Sequence, residues 1–208
     1  MTEFFPITLI IILAAISPGP DFAMVIKNAL LHNRKSGIFT ALGVSCSLII
    51  HSAYCILGLA IIISQSLLLF SIIKYIGAAY LIYIGIKSLL AKKSVTEIKE
   101  KTCNTTLNIF QAFLQGLLCN LLNPKAIMFI LAFFTLIIKP STSWTTQFGF
   151  GMEIALIHLL WFSWLAVMIT HQRVKTNLNK VQHYIVKAMG IVLIGFGARI
   201  ASLSQAIT

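Results

Sequence analysis

Apolar runs long enough to cross a lipid bilayer follow one another along almost the whole chain, committing its backbone to α-helices that satisfy their own hydrogen bonds in hydrocarbon. They read as Phe4 to Leu31, Ile38 to Ile63, Leu67 to Leu90, Phe110 to Ile138, Gln147 to Ile169 and Val181 to Leu203. The first and fourth are interrupted by proline. The fold class expected is therefore an all-α polytopic membrane protein of six transmembrane helices, with helices one and four broken.

Within 208 residues, six spans leave no room for a sizeable domain outside the membrane, which argues against a separate catalytic or nucleotide-binding unit and against an enzyme. Hydrophobic residues make up 58% of the chain and charged residues 10%, with a mean hydropathy of +0.93. The net charge of +11 falls in three clusters between apolar runs: Lys27/Arg34/Lys35, Lys87/Lys92/Lys93/Lys99/Lys101 and Arg173/Lys175/Lys180/Lys187. Charge placed this way signals topology rather than a nucleic-acid surface, and by the positive-inside rule it puts both termini outside. Cys46, Cys55, Cys103 and Cys119 have no paired spacing and read as small, mostly buried thiols; no metal site or cofactor is implied. The first apolar run lacks a preceding basic residue and a small-residue cleavage site, so it reads as a retained helix rather than a signal peptide.

The chain divides into residues 1–90, a charged cytoplasmic linker at 91–108, and residues 109–208. Helix one runs apolar for thirteen residues, Phe4 to Ile16, then meets Ser17-Pro18-Gly19-Pro20-Asp21; helix four runs thirteen, Phe110 to Leu122, then meets Asn123-Pro124-Lys125. Helix three carries Lys74, Gly77 and Gly85 where helix six carries Lys187, Gly190 and Gly197, and helices two and five carry one histidine each, His51 and His158. Three crossings per half invert the second half relative to the first, which is the inverted repeat of many secondary transporters.

The breaks are where chemistry is expected. Proline removes an amide donor and clashes with the preceding turn, so Pro18-Gly19-Pro20 frees backbone groups that membrane depth tolerates only in a protein-lined or watery cavity. At about 1.5 Å per residue, thirteen residues reach roughly 20 Å, a little past the middle of a ~30 Å core. Breaks from opposite faces can then meet. Pro20 starts a new half-helix, whose positive end suits the acidic Asp21; Asn123 can cap the half-helix that Pro124 begins. Lys125 is a cation at a helix start, so its partner should lie elsewhere: Asp21, or the carboxylate of a substrate. The pair reads either as a fixed ion pair between the halves or as a substrate or proton site.

Gly43, Ser47, His51 and Cys55 form a small or polar face on helix two, a pattern that serves tight helix packing; His51 reads as packing or as a proton relay. His158 reads the same way. Glu153, about two turns into helix five, reads as a proton site or as a cavity-lining or interfacial residue. Trp144, Trp161 and Trp164, with Tyr75, Tyr80 and Tyr83, read as interfacial anchors and packing.

Together, Ile16-Ser17-Pro18-Gly19-Pro20-Asp21, the Gly43 to His51 stretch, Lys74-Tyr75-Ile76-Gly77-Ala78-Ala79-Tyr80-Leu81 and Asn120-Leu121-Leu122-Asn123-Pro124-Lys125-Ala126 resemble the lysine exporter superfamily, more narrowly its homoserine/threonine-resistance branch. The resemblance implies a multi-pass exporter of amino acids in a bacterial inner membrane, driven by proton exchange and lacking an ATPase subunit. It carries the family's loop motifs onto Pro18, Gly19, Pro20 and Asp21 and onto Asn120, Asn123, Pro124 and Lys125. Substrates in such a family range from basic to small neutral or branched amino acids.

The expected mechanism seats a zwitterionic amino acid between the breaks, carboxylate toward Lys125 and ammonium toward Asp21. Asp21, Glu153 and His51 are the candidate proton carriers. The expected partners are the substrate, protons and membrane lipid, with a homodimer plausible. Rival readings are a passive channel or non-transport subunit, and a thiol–disulfide carrier; the latter needs a cysteine at each break, and the first break has none.

Overall fold

The structure, a computed structural model, describes residues 4–65, 67–90, 107–137 and 142–169 together with positions 184, 187, 190, 191, 194, 195, 197 and 198. Every regular element among the described residues is an α-helix: α1 (Phe4–Ile16), α2 (Pro20–Leu31), α3 (Arg34–Gln65), α4 (Leu67–Leu90), α5 (Ile109–Leu121), α6 (Pro124–Ile137) and α7 (Trp144–Met168). Nearly all of the expected linker and much of the sixth expected span lie outside the described residues, as does Cys103.

Among the described residues two helices, α3 over Arg34–Gly58 and α7, are long and apolar enough to cross a membrane unbroken. The pairs α1 with α2 and α5 with α6 pass the same test together, bent by 52° and 60° respectively. Each bend has a local cause. The Ser17 amide still reaches Leu13 O at 3.1 Å, but Pro18 has no amide with which to continue α1. Gly19 is fully extended at φ −171°, as a residue before proline prefers, and Pro20 opens α2 at its first position. In the second bend α5 closes with Leu122 N on Leu118 O at 3.1 Å, and Pro124 begins α6.

Helix α3 is the axis of the bundle, packed along α5, α7 and α2, with α1 lying on α7. The expected small-residue face is buried at Ser47, His51 and Cys55. At Gly43 the contact is backbone to backbone: a β-carbon there would stand 2.1 Å from Phe113 O on α5, and one on Gly116 of α5 would stand 2.0 Å from Thr40 O on α3. The two helices touch through reciprocal glycines, which is how membrane helices gain close packing when the surroundings are as apolar as the interface. Ile11, Val25, Ile56, Ile130, Phe133, Phe134, Ile154 and Leu165 fill the interior.

The outside is apolar too. Leu57, Leu68, Met152, Leu156 and Leu160 are each more than half exposed, a surface suited to lipid tails rather than water. Trp144 and Trp164 are both half exposed on α7, and their twenty-residue separation spans about 30 Å, the thickness of the hydrocarbon core. Close approaches of Gly85 to Gly190 and of Ala78 to Gly197 set the last helical positions antiparallel against α4.

Candidate functional site

The two breaks meet. Between them lies a cavity of about 50 Å³ whose polar wall is Ser17, Gly19, Asp21, Asn120, Asn123, Lys125 and His158. Its apolar wall includes Phe22, Leu48, Phe129 and Phe162. At about 10–15 Å³ per water the space holds a few solvent molecules, so an amino-acid-sized guest needs side-chain rearrangement.

Asp21 is anchored from the opposite break. Its Oδ2 accepts from Asn120 Nδ2 and from Asn123 Nδ2, each at 3.0 Å. Its other oxygen, Oδ1, is buried with no hydrogen-bond partner, as is Asn120 Oδ1. Two neighbouring residues thus hold acceptors without donors, an arrangement that costs free energy until a donor arrives.

Lys125 is anchored in the reverse sense. Its Nζ donates to Ser17 Oγ at 2.7 Å and to Pro18 O at 3.3 Å, lying over Gly19. The side chain answers the freed carbonyl and hydroxyl of the first break, so the charge that is misplaced at the start of α6 has its partner across the interface. Asn123 joins the two arrangements: while its Nδ2 holds Asp21, its Oδ1 accepts from Lys125 N at 3.0 Å and caps α6. Of the two partners expected for Lys125, Asp21 or a substrate carboxylate, neither is the one its hydrogen bonds take up here: each charge is bound by uncharged groups of the other break.

The histidines occupy different layers. His51 stands behind the cavity wall, its Nε2 3.2 Å from Asn120 O and its Nδ1 in contact with the Tyr54 hydroxyl. A carbonyl can only accept, so Nε2 carries the proton, and in the neutral ring Nδ1 accepts from Tyr54. His158 lines the cavity itself, its Nδ1 2.8 Å from Ile154 O. The same logic puts the proton on Nδ1. Glu153 is away from the cavity on α7, its Oε1 accepting from Thr8 Oγ1 of α1 at 2.6 Å. Cys119 adjoins Asp21 as a free thiol.

Of the residues singled out in the sequence, Gly19, Asp21, Asn120, Asn123 and Lys125 line the cavity, Pro18 supplies a carbonyl to Lys125, and Pro20 and Pro124 start the half-helices. Ser17 and the four apolar wall residues were not singled out as site residues. Ser17 could have been found as the one hydroxyl ending an otherwise apolar helix, and Phe162 by its i+4 spacing from His158.

The family described as LysE type translocator matches residues 12–204. An uncharacterized membrane protein, YrhP, of Bacillus subtilis is 34% identical over 88% of this chain and 91% of its own length. A threonine efflux protein of Salmonella typhimurium is 29% identical, covering 95% of this chain and 96% of that protein. A leucine efflux protein of Salmonella choleraesuis is 31% identical, covering 90% and 89%. No solved structure matches the chain.

Proposed function

The chain belongs to the LysE type translocator family, a family of transporters rather than enzymes, and from that premise we propose that it exports amino acids across a bacterial inner membrane by proton antiport. Relatives named for threonine and leucine efflux support the amino-acid class. The observation that carries the reading is the pair of buried, unpartnered acceptors Asp21 Oδ1 and Asn120 Oδ1 in a cavity that also holds the Lys125 ammonium. A substrate ammonium supplies the missing donors, and a substrate carboxylate takes up Lys125. One zwitterion answers both ends.

Antiport follows from the same oxygen. Asp21 Oδ1 can receive a substrate ammonium or a proton, and holding one removes the reason to hold the other. A proton arriving from outside therefore displaces substrate outward, and substrate arriving from the cytoplasm displaces the proton inward. Helices α1 to α4 and the helices from α5 onward act as an inverted pair that rocks about the cavity. His51, behind the cavity wall, and Glu153, outside the cavity, are the alternative proton groups should Asp21 not carry the proton.

The test is counterflow with the purified protein in liposomes, screened against the twenty amino acids, followed by uphill efflux under an imposed proton gradient. Saturable counterflow of an amino acid, and efflux that collapses when the gradient is discharged, are expected. Flux with no saturation and no uphill movement would make the chain a channel.

A further inference from the structure

We infer that Asn28, Thr40 and Gln115 form a gate on the seam between α2 and α5, the route by which substrate from the basic, cytoplasmic face reaches the cavity. The inference rests on the exporter reading above and adds the residues that admit the substrate. Asn28 follows Asp21 by seven residues, which is two turns and so the same face of α2, about 10 Å further along its axis. Both residues are tied to α5: Asp21 accepts from Asn120, and Asn28 Nδ2 donates to Gln115 Oε1 at 3.0 Å. The two half-helices thus run antiparallel, with one polar link at the cavity and another two turns away, toward the end where Lys27, Arg34 and Lys35 cluster. Helix α3 joins the second link. Asn28 Nδ2 also donates to Thr40 Oγ1 at 2.8 Å, and Thr40 Oγ1 donates to Ser36 O at 2.8 Å. The buried residues of α5 are Ala112, Gly116 and Asn120, so α5 sends no bulky buried side chain into the bundle.

As a fastening between helices the cluster is a poor one. Asn28 is 1% exposed, its amide hydrogens are spent on Thr40 and Gln115, and its Oδ1 is buried with no partner among the described residues. A hydrogen bond between membrane helices adds little net stability, and an unpaired buried acceptor subtracts from it. Apolar side chains of the same shape would close this seam without that cost. Amides and a hydroxyl suit a surface that is wet in one state and closed in another. With Gln115 swung aside, Asn28 Oδ1 is an acceptor for water or for the ammonium of an entering amino acid, two turns short of Asp21. Gln115 is the part able to move, being half-buried on a long unbranched side chain. The backbones around it are held fast: Gly116 lies against Thr40 O between α5 and α3, and Gly37 of α3 lies against Ala29 of α2. The gate is therefore a side chain rather than a helix.

Sealing and unlatching the gate give opposite results. The double variant Asn28→Leu/Gln115→Met closes the seam with apolar side chains of similar shape and leaves the Thr40 hydroxyl its bond to Ser36 O. It should melt in detergent no lower than the wild type, yet amino-acid counterflow in proteoliposomes should fall at least 100-fold. Gln115→Ala removes the latch without filling the seam. Its counterflow should stay within about threefold of wild type while uphill efflux under a proton gradient falls at least tenfold, because an open gate lets substrate leak back. Counterflow within about threefold of wild type in the sealed variant, or uphill efflux unimpaired in Gln115→Ala, would overturn the gate. If the sealed variant does not fold, the split between counterflow and uphill efflux in Gln115→Ala decides alone. Counterflow in the wild type that survives sealing removes the gate only; absence of counterflow for every amino acid in the wild type removes the exporter reading with it.

Discussion

Lys125 Nζ lies 2.7 Å from Ser17 Oγ, so the cation at the start of α6 is held by the hydroxyl that ends α1. The two residues are 108 positions apart, one at the end of α1 and the other at the start of α6. Replacing Lys125 by methionine keeps most of the side chain's length and removes its charge. Counterflow should fall at least 100-fold, while the detergent-purified protein still elutes as a single folded species. Ser17→Ala leaves the charge in place with Pro18 O as partner and should lower counterflow by only about tenfold, in line with the loss of one charge-assisted hydrogen bond.

Asp21→Asn removes the oxygen that can take a proton while preserving shape. Transport should be abolished with the protein still inserted in the membrane, and normal proton-driven efflux by this variant would remove Asp21 from the mechanism. The sign of the pH effect follows from competition at one oxygen. Acidifying the side from which substrate binds should raise the apparent KM, and alkalinisation should lower it.

The glycines give two opposite expectations. Gly116→Ala puts a methyl 2.0 Å from Thr40 O, a backbone atom that cannot swing aside, and should destabilise the protein by about 3 kcal/mol or more. Gly58→Ala meets nothing within 4 Å and should leave stability unchanged or slightly raised. Thermal denaturation in detergent compares the pair.

Gly19 is a sharper case. Its backbone is extended, and an added β-carbon would lie 3.5 Å from Lys125 Nζ, an ordinary contact. Gly19→Ala should therefore transport within about threefold of wild type, although the motif's appearance suggests that glycine is required. Gly19→Leu should displace the lysine and stop transport.

Glu153 is outside the cavity, paired with Thr8. Glu153→Gln keeps a group able to bond that hydroxyl and should leave gradient-driven efflux within about threefold of wild type. Loss of uphill efflux with counterflow intact would instead make Glu153 the proton carrier.

The breaks were legible in the sequence because proline acts locally: α1 ends at Ile16 as the apolar count indicates, and α5 ends at Leu121, one residue before the expected point. Two unbroken spans and two bent ones among the described residues were legible because lipid demands length and hydropathy. The wiring between Asp21 and Lys125 was not, since it depends on which side chains face each other once α5 lies along α3, a distance set by Gly43 and Gly116. Nor was the difference between the two histidines. His51 and His158 occupy matching places in the sequence, yet one braces Asn120 from behind while the other faces the cavity.

The crossed anchoring has a consequence for how occupancy and motion communicate. Among the described residues Asp21 is hydrogen-bonded from α5 and the break after it, and Lys125 to the break after α1, so the polar groups lining the cavity are also polar links between the two sets of helices, added to the packing of α3 on α5 and α7. In the proposed transport cycle, a guest that took over those hydrogen bonds would exchange one break's hold on the other for its own, so binding and loosening of that polar link would be one event.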